Sequence, residues 1–199
     1  MFGDLGNEPV CAASLIKLFV MQKIYQDYNL IVAQDANYSG DEQFSKEKIG
    51  NLLESMIEWS DNESYNELMR MMSPQRVFSE PCGIMNDFLE EEGYEATRVY
   101  HTLQPSETED EGISNDFNST SVADCAYLLE SIYQKQCVSE EASASMLEFL
   151  LNQQVTHKIP AGVPEGAIVA NKTGETDEVQ HDAAIVYTYM EEVENITFE

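Results

Sequence analysis

Positive charge is what this chain has least of. Ten lysines and arginines face 37 aspartates and glutamates, giving a formal net charge of −27. That sign repels nucleic-acid phosphates and anionic lipid surfaces and removes both as default partners; the plain reading of the excess is a solvated acidic surface. Long apolar runs are also missing, and nothing approaches the ~18–20 residues of a membrane span. The first residues, Met-Phe-Gly-Asp-Leu-Gly-Asn-Glu, lack the basic start and apolar stretch of a signal peptide. Cys11, Cys82, Cys125 and Cys137 show no Cys-x-x-Cys spacing, so a zinc site is not expected. Two disulfides and buried free thiols both stay open; a Cys125–Cys137 bridge would close a helix onto its following turn. His101, His157 and His181 have no Ser or Cys partner at motif level and read as structural or solvent-facing.

What is present is enough for one domain. The chain has 199 residues, 43% hydrophobic and 24% charged, and a length of this order buries a substantial core. Residues 1–199 are read as a single domain without internal repeats. Apolar spacing predicts a helix from about Ala12 to Tyr28, with Leu15, Leu18, Phe19 and Ile24 on its inner face. A second is expected over Lys46–Glu58 with Ser45 as cap, a third over Glu63–Met72, and another ending near Gly93. Gln104–Asn118 is acidic, carries Pro105 and Gly112, and reads as a long loop. Ser121 with Asp124 opens a helix over Val122–Tyr133, and Ser139 opens one through Leu151. Ala167–Lys172 and Ala183–Tyr189 are β-rich around a polar turn and suggest an antiparallel pair. Helices followed by strands make this α+β rather than alternating βαβ.

Three short motifs stand in order: Ser14-Leu15-Ile16-Lys17, Ser60-Asp61-Asn62 and Lys172-Thr173-Gly174. Singly they are weak. An S-x-x-K arises by chance about once in a chain this long, and a given tripeptide in about one chain in fifty to a hundred. Ser45-Lys46-Glu47-Lys48 is in fact a second S-x-x-K, read as a solvated helix cap. All three motifs in sequence, each in suitable context, form a strong signal. The spacing also makes chemical sense. Ser14 lies near a helix N-terminus, where free amides and the macrodipole favour a developing oxyanion. Lys17 is one helical turn on, facing the same way. An alcohol needs a base to become a nucleophile, and a lysine serves if apolar surroundings and a second cation, here Lys172, lower its pKa. The methionines sit mostly at helical core spacing and look like packing. Trp59 is placed equally in the core or as a wall of the site.

The resemblance reaches beyond the motifs. Ala12-Ala13-Ser14-Leu15-Ile16-Lys17-Leu18 looks like the active-site helix of class A β-lactamases and their penicillin-binding relatives. Met56–Asn62 is similar to that family's second segment, and Asn118-Ser119-Thr120-Ser121 resembles the stretch closing its omega loop. The run from Ile159 through Lys172-Thr173-Gly174-Glu175 to His181–Val186 resembles its third motif and next strand, so the match extends from Cys11 to Tyr187. The resemblance implies a helical cluster packed on an antiparallel sheet, with β-lactams or peptidoglycan-peptide-like amides as small-molecule substrates. It gives Ser14 the role of nucleophile, Lys17 that of proton acceptor and Ser60 that of relay to the leaving nitrogen. Asn62 would hold the substrate's amide side chain, and Lys172 and Thr173 its carboxylate. Gly174 is the third member of its motif, and the backbone amides of Ser14 and Glu175 would form the oxyanion hole. Asp61 would support the turn that presents its neighbours. No metal or other cofactor is implied, and the working location would be outside the cytoplasmic membrane.

Two departures shape the expectation. The family's deacylating water is activated by an omega-loop glutamate in a Glu-x-x-x-Asn pattern. Counting back from Asn118–Ser121 lands near Pro105 instead. Glu111 to Asn115 fits the spacing but lies close to the loop's end, and a solvated loop is the plain alternative. Without that glutamate the acyl-enzyme would persist, as in penicillin-binding proteins. The family also carries a helix and two strands before the nucleophile, and a final strand and helix after the third motif, which this chain is expected to lack. Three readings follow: an active β-lactamase-type hydrolase, a D,D-peptidase- or esterase-like relative, and a truncated, silent fold.

Overall fold

The computed structural model describes residues 4–103 and 112–188. A 3-10 turn, Ala13–Leu15, runs directly into α1 (Ile16–Gln26). On α1 Ile16, Lys17, Leu18, Phe19, Val20, Met21, Gln22 and Ile24 are all buried. A helix buried on every side belongs at the centre, not on a surface. It touches α2 (Tyr28–Ser39), α3 (Glu42–Glu58), α4 (Asn62–Met71), α5 (Ser79–Glu91), α6 (Val122–Tyr133) and α7 (Glu140–Leu151). Ile49, Leu53 and Met56 of α3, Tyr65 and Leu68 of α4, Met85 and Leu89 of α5, and Leu128 and Ile132 of α6 close the core around it. Phe19 meets Tyr94 edge-on at 4.9 Å.

Short polar side chains fix where these helices start. Asp41 accepts from the Phe44 amide (3.1 Å), Asp61 from Ser64 (2.6 Å), Ser121 from Asp124 (3.1 Å) and Ser139 from Ala142 (3.0 Å). Each satisfies one of the amides a helix N-terminus leaves open. Gly93, at φ +84°, follows α5 as expected of a left-handed stop.

Among the described residues the strands form two separate antiparallel pairs. β1 (Val10–Cys11) pairs with β2 (Ser119–Thr120). After the short α8 (Ile159–Gly162), β3 (Ile168–Glu175) pairs with β4 (Gln180–Tyr187), in register from Ile168 opposite Tyr187 to Glu175 opposite Gln180. Thr176 builds the turn between them: its hydroxyl accepts from the Glu178 and Val179 amides, both at 3.1 Å. β3 lies against α7 and the 3-10 turn, and β4 against α6.

Several local expectations change. The helix expected through Tyr28 breaks at Asp27 and is followed by α2, which the periodicity missed. Ile31 and Val32 of α2 are buried while Leu30 is exposed, so the apolar stripe is thin. Its buried polar residue, Asp35, is held by Ser45 (2.8 Å), Lys48 (3.2 Å) and Arg76 (3.0 Å). Those partners overturn the solvated-cap reading of Ser45-Lys46-Glu47-Lys48: Ser45 is buried inside α3, and Asp41 is the cap. All four cysteines are free thiols, three of them buried. Trp59 is 64% exposed, so it is not a core residue. Among the described residues no helix is long and apolar enough to cross a membrane.

Candidate active site

The first two motifs meet at the Nζ of Lys17, and the third joins them through the Ser60 hydroxyl. Lys17 Nζ lies 3.0 Å from Ser14 Oγ, 2.6 Å from the Ser60 carbonyl, 2.6 Å from Asn62 Oδ1 and 3.4 Å from Ser60 Oγ. Lys172 Nζ approaches the same Ser60 hydroxyl from the other motif at 2.7 Å and donates to the Thr173 carbonyl at 2.8 Å. The Ser60 hydroxyl therefore bridges two lysines that are both 0% exposed, and neither has a carboxylate in salt-bridge contact among the described residues.

Unpaired burial disfavours charge. Desolvation brings the Lys17 pKa down to about 7, with Asp61 pulling weakly the other way. Burial, then the neighbouring Lys17, depresses that of Lys172 well below the ordinary lysine range. Lys17 Nζ donates to the Ser60 carbonyl, to Asn62 Oδ1 and to Ser14 Oγ, three contacts that an ammonium fills; on loss of a proton its lone pair would fall to the Ser14 hydroxyl, the one of these three partners that can itself donate.

Backbone geometry presents these groups. Ala13 (φ 44°) and Ser60 (φ 59°) both sit in the left-handed region, which costs a non-glycine residue about 1–3 kcal/mol. At Ser60 the conformation turns its carbonyl onto Lys17 while Asp61 caps α4 and Asn62 begins it. Gly174 permits the close approach of β3 to the Ser14 turn. A Cβ there would lie 3.1 Å from the Ala12 carbonyl oxygen and 3.2 Å from the amide nitrogens of both Ser14 and Leu15. Thr173 is buried beside it, and Glu175 is exposed at the strand's end. A cleft of about 490 Å³ opens over Ser14, bounded by Asn62, Leu103, Glu175, Thr176 and Asp177.

Some residues around the cleft carried no signal as motifs. Asn66 clamps the Leu103 backbone, accepting from its amide (2.9 Å) and donating to its carbonyl (3.2 Å). It lies one helical turn after Asn62 and so shares its face, a spacing that could have pointed to it. Asn118 accepts from the Tyr100 and His101 amides, and its carbonyl takes the Ala12 amide at 2.7 Å, tying the approach to Ser14 to the preceding segment. Lys158 donates to the Gly174 and His181 carbonyls and pairs with Glu175 at 2.8 Å, and His157 reaches the same carboxylate at 3.5 Å. His181 lies within 2.9 Å of the Cys11 carbonyl, and the His101 ring within 2.5 Å of the Thr102 carbonyl. Glu111 lies outside the described residues.

A family model described as the beta-lactamase enzyme family matches residues 3–193. Among solved structures, the beta-lactamase from Sphaerobacter thermophilus aligns with a TM-score of 0.69 at 19% identity, covering 92% of this chain and 72% of that one. An ancestral class A beta-lactamase gives 0.68 at 18%, with coverages of 92% and 74%. A protein named PBP-A gives 0.68 at 21%, with 92% and 69%. Identities this low speak for the fold alone. No curated protein matches the sequence.

Proposed function

Because the chain belongs to the beta-lactamase enzyme family and has the class A beta-lactamase fold, we propose that it is a serine hydrolase that forms an acyl-enzyme at Ser14 with β-lactams or related amides. The observation that carries this reading is the Lys17 amine, 3.0 Å from the Ser14 hydroxyl, its nearest partner able to donate to it once it is neutral. Ser14 Oγ bonds to the carbonyl carbon as its proton passes to Lys17. The carbonyl oxygen becomes an oxyanion, received by the backbone amides of Ser14 and Glu175. Ser60, hydrogen-bonded to both lysines, hands a proton to the departing nitrogen as the carbon–nitrogen bond breaks. Asn62 orients the substrate's amide side chain, Thr173 and Lys172 face its carboxylate, and Gly174 keeps the strand close enough for these contacts.

Hydrolysis of the ester then needs a base for water. Asn66 fixes Leu103 on the cleft wall, where an apolar side chain activates nothing, and Glu175 is engaged by Lys158. Among the described residues these offer no base at the cleft, and with the sequence departing from the Glu-x-x-x-Asn pattern the reading proposed is slow deacylation, in the manner of a penicillin-binding D,D-peptidase.

The test is to incubate the protein with a fluorescent penicillin, with Ser14→Ala as control, and follow intact mass. A lasting, Ser14-dependent adduct is expected. An adduct that decays with product release would make the protein a β-lactamase and require a water base, with Glu111 the first to substitute. Folded protein without any adduct would falsify the acyl-transfer reading and leave the silent fold.

A further inference from the structure

The geometry points to an acyl donor that carries an ammonium group on the part of its acyl side chain that reaches the turn between β3 and β4. This inference rests on the acyl-transfer reading above and specifies the substrate class of that same cleft.

The cleft over Ser14 has an acidic rim. Glu175 and Asp177 line it, while Asn62, Leu103 and Thr176 contribute no charge. Glu178 is exposed in the same turn. Neither Lys17 nor Lys172 offsets these carboxylates at the mouth: both are 0% exposed and turned to Ser14, Ser60, Asn62 and Thr173. Lys158 is the nearby cation; it is paired with Glu175 and does not line the cleft. Asp177 has no ion-pair partner among the described residues. The whole chain, at −27, adds a field of the same sign.

Depth and rim therefore ask for different charges. The backbone amides of Ser14 and Glu175 suit the oxyanion, and Lys172 with Thr173 a carboxylate beside the scissile bond. The rim suits a cation and repels a second anion. Exposed carboxylates give modest effects, so selectivity of roughly five- to tenfold between a cationic and an anionic side chain is expected at low ionic strength. It should shrink as salt screens the rim.

Three penicillins isolate the effect because they share the ring carboxylate and differ at the side-chain α position: ampicillin (ammonium), benzylpenicillin (uncharged) and carbenicillin (carboxylate). Acylation of the full chain is followed by intact mass below the pKa of the ampicillin amine, with Ser14→Ala as control. The inference expects rates in the order ampicillin, benzylpenicillin, carbenicillin. Asp177→Lys should level or invert that order, and added salt should compress it in the unsubstituted protein. Equal rates, or carbenicillin fastest, would overturn the inference while leaving acylation at Ser14 intact. An order unchanged by Asp177→Lys would overturn the rim as its cause. Absence of adduct with all three would instead sink the acyl-transfer reading, and this inference with it.

Discussion

Lys17 is the residue on which most of the proposed chemistry depends, and its environment sets a pH response whose sign can be worked out. In the proposed reaction its neutral form is the base, and burial holds its pKa near 7. Acylation should therefore rise as pH increases through about 7 and level off above it. Stopped-flow acylation across the range would show this, and a flat profile through that region would argue against Lys17 as proton acceptor. The same burial has a stability cost. Between about 7 and the ordinary lysine value of 10.5, the unfolded chain holds a proton that the folded chain does not. Stability from this group therefore rises with pH across that window, and below it the folded state carries the full penalty. Lys17→Met removes the buried amine and should raise stability at pH 6 by a few kcal/mol while abolishing acylation. Denaturant titration beside the mass assay checks both halves; a destabilised Lys17→Met would mean that the hydrogen bonds to Ser60 and Asn62 outweigh desolvation. Ser14, Lys17, Ser60, Asn62, Lys172, Thr173 and Gly174 were legible as motifs because their chemistry fixes residue type at short spacing. Asn66 and Leu103 were not, because their relation spans 37 residues and exists only through backbone hydrogen bonds.

At the level of elements, the caps divide into those that only hold a helix and those that also hold the site. Ser139 starts α7, with its hydroxyl on the Ala142 amide. Ser139→Ala should cost about 0.5–2 kcal/mol and leave acylation unchanged. Asp61 starts α4 with a similar bond but stands between Ser60 and Asn62, both of which contact Lys17. Asp61→Ala should cost comparable stability and also slow acylation roughly ten- to hundredfold, because small displacements of positioned groups are expensive. Thermal unfolding and acylation rates for the pair would separate the roles; equal acylation by the two variants would reduce Asp61 to a helix cap. The sequence made the caps of α6 and α7 readable, since Ser121 and Ser139 each precede a clear apolar pattern. It misplaced the start of α3 and missed α2, because Ser45 and Asp35 are buried polar partners in separate helices. Burial of a polar side chain by a partner elsewhere leaves no periodic trace.

For the whole molecule, charge dominates the expected behaviour. A net charge of −27 makes self-repulsion part of the folding balance. The Tm should rise as sodium chloride is added from a few millimolar to about 0.2 M, over which the Debye length shortens several-fold. Differential scanning fluorimetry across that series measures it. A Tm independent of salt would show that the acidic residues are spaced too widely to repel. The ion pairs work locally against the excess: Lys48 and Arg76 both bind Asp35 and Glu67, and so link α2, α3, α4 and the turn after it.

Sequence alone marked the proposed reactive groups and determined the class of fold. Catalytic chemistry demands particular residues one turn or one residue apart, and amphipathic spacing marks the stronger helices and the β3–β4 hairpin. The tertiary structure decided the rest. It left Lys17 and Lys172 without carboxylate partners among the described residues, set Leu103 on the cleft wall and gathered Glu175 and Asp177 at the rim. Burial, pairing and the sign of a local field depend on which distant segments meet, and no local pattern of residues encodes that.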